Sequence, residues 1–203
     1  DWAMCAVEKD GGDDPDVTDG MRIYARVSRR SDGTLRVDGG EGVGRVTRPG
    51  LDQPPGAAAI NSTPRRMIAE QLAAALREAG DHGGLEAVIS VPGGEVLARK
   101  TFNPRLGIQG GISILGTSGI VRPMSEAALV DSITLELDMA HAAGVQHLLV
   151  TPGNYGEDYA RDHLGLETEG CISCSNYLGA AIDHAAGLGF SSFLLVGHLG
   201  KLV

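Results

Sequence analysis

Aromatic side chains are scarce, at 4% of 203 residues, and Trp occurs once. A core built from this chain must rest on Leu, Ile, Val and Ala rather than on large rings. Cysteine is nearly absent as well: there are three, an odd number, which argues against a disulfide framework and fits a reducing cytoplasm. Lys and Arg number 17 against 26 Asp and Glu, for a net charge of −9. That deficit argues against a nucleic-acid partner, because phosphate neutralisation needs a basic surplus. It leaves room for an anionic small molecule held by a local basic cluster. Long apolar runs are missing: none approaches the ~20 residues that span a bilayer, so no membrane partner is expected. No secretory leader is visible at the start.

What the chain does have is glycine, 30 residues of it, together with 42% hydrophobic residues, an ordinary share for a globular protein. Residues 1–122 read as a β-rich part with Gly-rich loops. Met21 to Val27 has strand character, and Leu35 to Val37 is expected to pair with it across the turn residues Ser31-Asp32-Gly33. Between 38 and 56 glycine and proline crowd together, which reads as a long surface loop or an irregular binding segment. Thr63 and Pro64 suit a helix start, and Met67, Ile68, Leu72 and Leu76 space as one apolar face, with Gly80 as the stop. Leu85 to Val91 and Glu95 to Thr101 read as a hairpin around Val91-Pro92-Gly93-Gly94. Ile112 to Leu115 reads as a buried strand.

Residues 123–203 alternate helices with short apolar strands. Ser125 can cap a helix running to about Ala143, His147 to Thr151 is a strand, and a short helix follows. Cys171 to Ser173 and Ser192 to Val196 are strands on either side of a helix from Asn176 to Ala186. Strand–helix–strand at this spacing implies a Rossmann-like parallel sheet flanked by helices, so the fold class is α/β in two parts. Both ends read as cut, since the chain starts at Asp1 and stops at Val203 just past an apolar run.

Four segments can carry chemistry. Gly107 to Gly119 holds five glycines with Ser113, Thr117 and Ser118, and Gly116-Thr117-Ser118-Gly119 would leave the carboxyl end of a strand, where ligands sit in open α/β sheets. It matches neither GxGxxG nor a phosphate loop. Asn103 precedes Pro104 and can bond its own backbone in a fixed turn, beside Arg99, Lys100 and Arg105, which form a basic edge suited to carboxylates. Pro152 to Gly156, with Gly153 and Asn154, follows a strand and precedes a helix, so its amides can face a ligand. His198 and Lys201 follow the last strand. Bland alternatives stand beside each: a tight turn, a solvated charged turn, a structural histidine. Cys171 and Cys174 form a lone CxxC, and the acidic run from Glu8 to Asp16 lacks calcium-loop spacing, so no metal is expected. No residue is singled out as catalytic.

Six strings occur in order: KDGGDDPDVTDG (9–20), GGEGVGRVTRPGL (39–51), KTFNPRLGIQGGISILGTSGIVRPMSE (100–126), PGNYG (152–156), CSNYLG (174–179) and GHLGKL (197–202). Together the chain resembles the CbiD family of corrin-ring methyltransferases over nearly its whole length, without the family's small-residue N-terminal segment and a C-terminal portion. The resemblance implies methyl transfer from S-adenosylmethionine to C1 of a cobalt-bound tetrapyrrole, cobalt-precorrin-5B, giving cobalt-precorrin-6A in anaerobic cobalamin biosynthesis. Cobalt enters only as part of the substrate. On that footing Gly116, Thr117, Ser118, Gly119, Gly153 and Asn154 are expected to hold the cofactor. Arg45, Arg48, Lys100, Asn103, Arg105, His198 and Lys201 are expected to hold the carboxylate-rich macrocycle. The oligomeric state stays open, with a homo-oligomer allowed. Rival readings are a non-catalytic tetrapyrrole carrier and a dinucleotide-binding oxidoreductase.

Overall fold

A computed structural model describes residues 1–12, 17–116 and 126–201, and places them in two compact units. Thr117, Ser118, Gly119 and Ser125, named above as ligand-loop and capping residues, lie outside the described residues, as does the 13–16 part of the acidic run.

The first unit comprises Asp1–Arg48 and Asp52–Pro123. Its sheet is built from β1 (Trp2–Glu8), β2 (Arg22–Arg30), β3 (Leu35–Gly39) and β5 (Gly84–Ser90), in the order β1-β2-β5-β3. Strand β2 pairs antiparallel with both β1 and β5, while β3 runs parallel to β5. The expected pairing of 35–37 with 21–27 is therefore wrong, because β5 enters the sheet between those two strands. The same insertion corrects the expected hairpin. Both edges of β5 are occupied, so the chain leaving it cannot return as a neighbour. Instead Gly93 takes φ 84° and the chain turns into a short helix, α2 (Gly94–Ala98).

Helix α1 (Ser62–Glu78) packs on β3 and β5, with Leu72 buried and Ile68 against the core, and Gly80 stops it at φ 62°. Thr63 is not its cap. The Asp52 carboxylate, from a preceding loop, accepts from the Ser62 amide and from its hydroxyl at 2.8 Å. The Gly-rich stretch, expected as a surface loop or an irregular binding segment, is core only in its first half: Gly39, Val43 and Val46 are buried, whereas Thr47 to Gly50 and Pro54 to Gly56 are exposed. Arg45 and Val46 form β4, which pairs with β6 (Ile108–Gln109). Ile112 to Leu115 forms no continuous strand; Ile112 and Ile114 make single bridges to Val43 and Ile60, and Leu115 is exposed. At one junction three backbones touch. A methyl group on Gly42 would lie 1.8 Å from the Val91 carbonyl oxygen, and one on Gly94 or Gly111 would lie 2.3 or 2.2 Å from that of Gly42.

The second unit comprises Pro49–Leu51 and Met124–Val203. It contains α3 (Glu126–Ala142), β7 (His147–Thr151), α4 (Asn154–Leu164), β8 (Ile172–Ser173), α5 (Leu178–Leu188) and β9 (Ser192–Leu195). The three strands form a parallel sheet with β7 in the middle. Ile133 and Leu137 of α3, Leu148 and Val150 of β7, and Ala181 and Ala185 of α5 interlock as its core, with Cys174 fully buried among them. No helix among the described residues is long and apolar enough to cross a membrane.

Candidate functional site

Arginines of the first unit converge on a groove of about 410 Å³ lined by Leu35, Arg36, Val37, Asp38, Arg45, Gly56, Ala57, Ala58 and Arg65. Its wall is β3, the outer strand beside β5, and its other sides are β4, the Gly56–Ala58 segment and the first turn of α1. Arg65 is fixed by the backbone alone. Its Nε donates to the Ile60 carbonyl at 2.7 Å, and its two terminal nitrogens donate to the carbonyls of Val37 at 2.6 Å and Ala58 at 3.0 Å. No carboxylate among the described residues forms an ion pair with it. Burial pushes its pKa below the usual arginine value, and the Arg45 charge adds to the effect against the opposing pull of Asp38 and Asp52.

Arg45 donates to Asp38 at 2.7 Å and to the Gly39 carbonyl at 2.7 Å. Arg36 lies 3.5 Å from Asp38 and 3.4 Å from Glu86. Burial works to raise the Asp38 carboxyl, but hydrogen bonds from Arg45 and the Gly39 amide and the charges of Arg45 and Arg36 outweigh it, so its pKa falls below the ordinary range. Asp38 is thus ionised, and the groove still holds three guanidinium groups against the carboxylates of Asp38 and Glu86.

Of the cations named from sequence, the groove takes Arg45. Arg48 lies nearby in the chain, its stem packed over Gly107. Lys100 and Arg105 are exposed around the turn after α2 and do not line the groove. Arg36 and Arg65 were missed. Their convergence depends on a parallel β3–β5 pairing and on α1 folding back over it, neither of which has a local signature. One signal existed for Arg65: it falls with Arg66 in the first turn of a helix, where the dipole disfavours cations unless something else holds them.

Asn103 does not bond the backbone immediately ahead of it. It is buried, its amide nitrogen donates to the Gly111 carbonyl at 3.1 Å, and its amide oxygen accepts from the Ser113 hydroxyl at 3.1 Å. It ties the two ends of the 103–113 excursion together, so its side chain is engaged within the fold.

In the second unit, the carboxyl ends of β7 and β9 lie side by side. Pro152 packs on Gly197, Gly156 sits against the Val196 carbonyl, and the Tyr155 ring meets that of His198 edge-on at 5.8 Å. Asn154, Tyr155 and Gly156 belong to the first turn of α4 rather than to a free loop. Gly153, extended at φ 166°, gives that helix no side-chain cap and has open space where a side chain would stand. Backbone N–H donors at an uncapped helix start beside an open glycine fit a carboxylate such as that of an amino-acid-derived cofactor. His198 is exposed, and its Nδ1 accepts from the Gly200 amide at 3.1 Å. Cys171 and Cys174 are both buried and not disulfide-bonded, and burial raises the pKa of Cys174. No group of His, Cys, Asp and Glu among the described residues could hold a metal ion.

Comparison with known proteins gives one consistent result. The CbiD family model matches residues 1–123. A cobalt-precorrin-5B C(1)-methyltransferase of Ruminiclostridium cellulolyticum is 51% identical over 198 residues, covering 98% of this chain and 51% of the relative. That of a Thermoanaerobacter species is 52% identical over 202 residues, covering 100% of this chain and 54% of the relative. That of Salmonella heidelberg is 48% identical over 202 residues, covering 99% and 52%. The crystal structure of a cobalamin biosynthesis protein (CbiD) from Archaeoglobus fulgidus is similar at 29% identity and a TM-score of 0.48, covering 98% of this chain and 61% of that one. The chain spans about half the length of the curated relatives it matches.

Proposed function

The chain belongs to the CbiD family, and from that premise we propose that it takes part in methylating C1 of cobalt-precorrin-5B in anaerobic cobalamin biosynthesis. The observation that carries this reading is the 51% identity to a named methyltransferase along 98% of the chain. S-adenosylmethionine supplies, when bound, a methyl group already activated on a sulfonium. The protein's share is then to position two reactants in line and keep water away.

In this reading the second unit is a Rossmann-like sheet whose strand-end residues Gly153 and Asn154 offer backbone amides to the cofactor, with Gly116, Thr117, Ser118 and Gly119 as further contacts. Arg45, Arg48, Lys100, Arg105, His198 and Lys201 remain the proposed contacts of the macrocycle, while Asn103, buried with its amide bonded to Gly111 and Ser113, serves instead to hold the turn that carries Arg105. What supports the cofactor assignment is the uncapped start of α4. What supports a polycarboxylate substrate is the arginine groove, an uncommon concentration of positive charge on a chain of net charge −9.

The test is incubation of the full chain with cobalt-precorrin-5B and methyl-labelled S-adenosylmethionine. Label at C1 of the product is expected. Binding of cobalt-precorrin-5B without binding of S-adenosylmethionine would turn the reading toward a carrier.

A further inference from the structure

We infer that the groove between Arg36, Arg45 and Arg65 is a receptor for an acidic side arm, a carboxylate on a short alkyl chain, of the bound small molecule. Three features of the groove lead there. Arg65 spends its Nε–H and two further N–H groups on carbonyls, and a guanidinium has five N–H donors. Two N–H donors of a partly buried cation are left over. A rigid fork of that kind, held in place before any ligand arrives, suits a planar carboxylate better than a flexible ammonium would.

The second feature is crowding of like charge. Arg45 and Arg36 both reach Asp38, and the Arg45 charge adds to burial, the main cause, in lowering the Arg65 pKa. Asp38 is the one acid lining the groove, and it is shared; Glu86, outside the lining, reaches only Arg36 of the three. A carboxylate entering the groove relieves the repulsion among the three cations, which gives it an electrostatic gain that a neutral ligand lacks.

The third is the apolar lining. Leu35 is exposed beside the arginines and Val37 and Ala57 are half-buried there, a small apolar edge to which the fully buried Ala58 adds no surface. An inorganic anion gains nothing from these side chains, whereas the methylene groups of an acid arm can lie on them while the carboxylate reaches the guanidinium groups. This deepens the methyltransferase reading and rests on it, since the proposed tetrapyrrole is the ligand that would present such arms.

Uroporphyrin III, a porphyrin bearing acetate and propionate arms, serves as the probe, titrated into the full chain and followed by fluorescence. Arg36→Gln and Arg45→Gln are the test variants: the Arg36 side chain is exposed and that of Arg45 half-exposed, and thermal melts of both check that the fold is kept. Arg65 is left intact because three backbone segments depend on it. Arg66→Gln, on the same helix but outside the groove, is the control. Losing one charge-assisted contact should weaken probe binding by about 10- to 100-fold in each test variant, with the control unchanged. Heat of S-adenosylmethionine binding is measured in parallel and should not change in any variant. Unaltered probe binding in both test variants, an equal loss in Arg66→Gln, or tight binding of inorganic phosphate without binding of the porphyrin would each overturn the groove assignment. Absence of S-adenosylmethionine binding by the wild type would overturn the methyltransferase reading instead, and leaves the porphyrin result to stand by itself.

Discussion

At the scale of single residues, glycine is where sequence and structure part most instructively. The glycines around 107–119 invited the idea of a backbone drawn close to a ligand. At Gly111, and at its partners Gly42 and Gly94, the structure uses the missing side chain to bring backbone against backbone. Both uses leave the same mark in a sequence, because both are set by the absence of a Cβ. Gly42 is the most constrained, at φ 72° with the Val91 carbonyl where a methyl group would go. Gly42→Ala is expected to lose about 3 kcal/mol or more, from left-handed strain and overpacking together. Urea denaturation of the first unit, followed by circular dichroism, measures it. Arg45 was visible as a candidate because it lies in a conspicuous Gly-rich string. Arg36 and Arg65 lie in ordinary surroundings and become neighbours only through distant pairing.

Among the elements, helices were more legible than strand partners. The apolar spacing of Ile68 and Leu72, and the stop at Gly80, are local properties, and the structure follows them. Strand existence was local too, but pairing was not: nothing near 35–37 reveals that its neighbour is residues 84–90. The cap of α1 shows the same limit. Asp52 lies ten residues ahead of Ser62 and is brought to it by the loop between. Asp52→Ala should therefore cost about 1 kcal/mol, the usual worth of a helix cap. A hydrogen bond from Gln53 foremost, with those from Ser62 and the Arg65 charge, holds the Asp52 carboxyl below its ordinary pKa against burial, the second-largest effect. A depressed pKa gives stability that is complete above the ordinary carboxylate value of about 3.9 and is lost as pH falls through the lowered one. The gap between wild type and Asp52→Ala in urea melts should be full at neutral pH and close in acid.

For the whole molecule, each unit has a hydrophobic cluster of its own, one around Ile60 and Val91 and one around Leu137 and Val150. Leu137 is fully buried. Leu137→Ala is expected to cost about 2–5 kcal/mol, and hydrogen exchange should show the loss in the amides of α3, β7 and α5. The assignment of Pro49–Leu51 to the second unit had no sequence signal, since it comes from Gly50 lying against Met139 and Ala142. The central position of β5 has a consequence for how the protein is made. On the ribosome, β2 and β3 emerge long before the strand that must separate them. Until residues 84–90 leave the exit tunnel, each keeps an unsatisfied edge, and the pairing nearest to hand, between the two of them, is a register the finished sheet does not contain. The nascent chain must stay clear of that premature hairpin, and of other exposed edges, during the interval in which its central strand is still being synthesised.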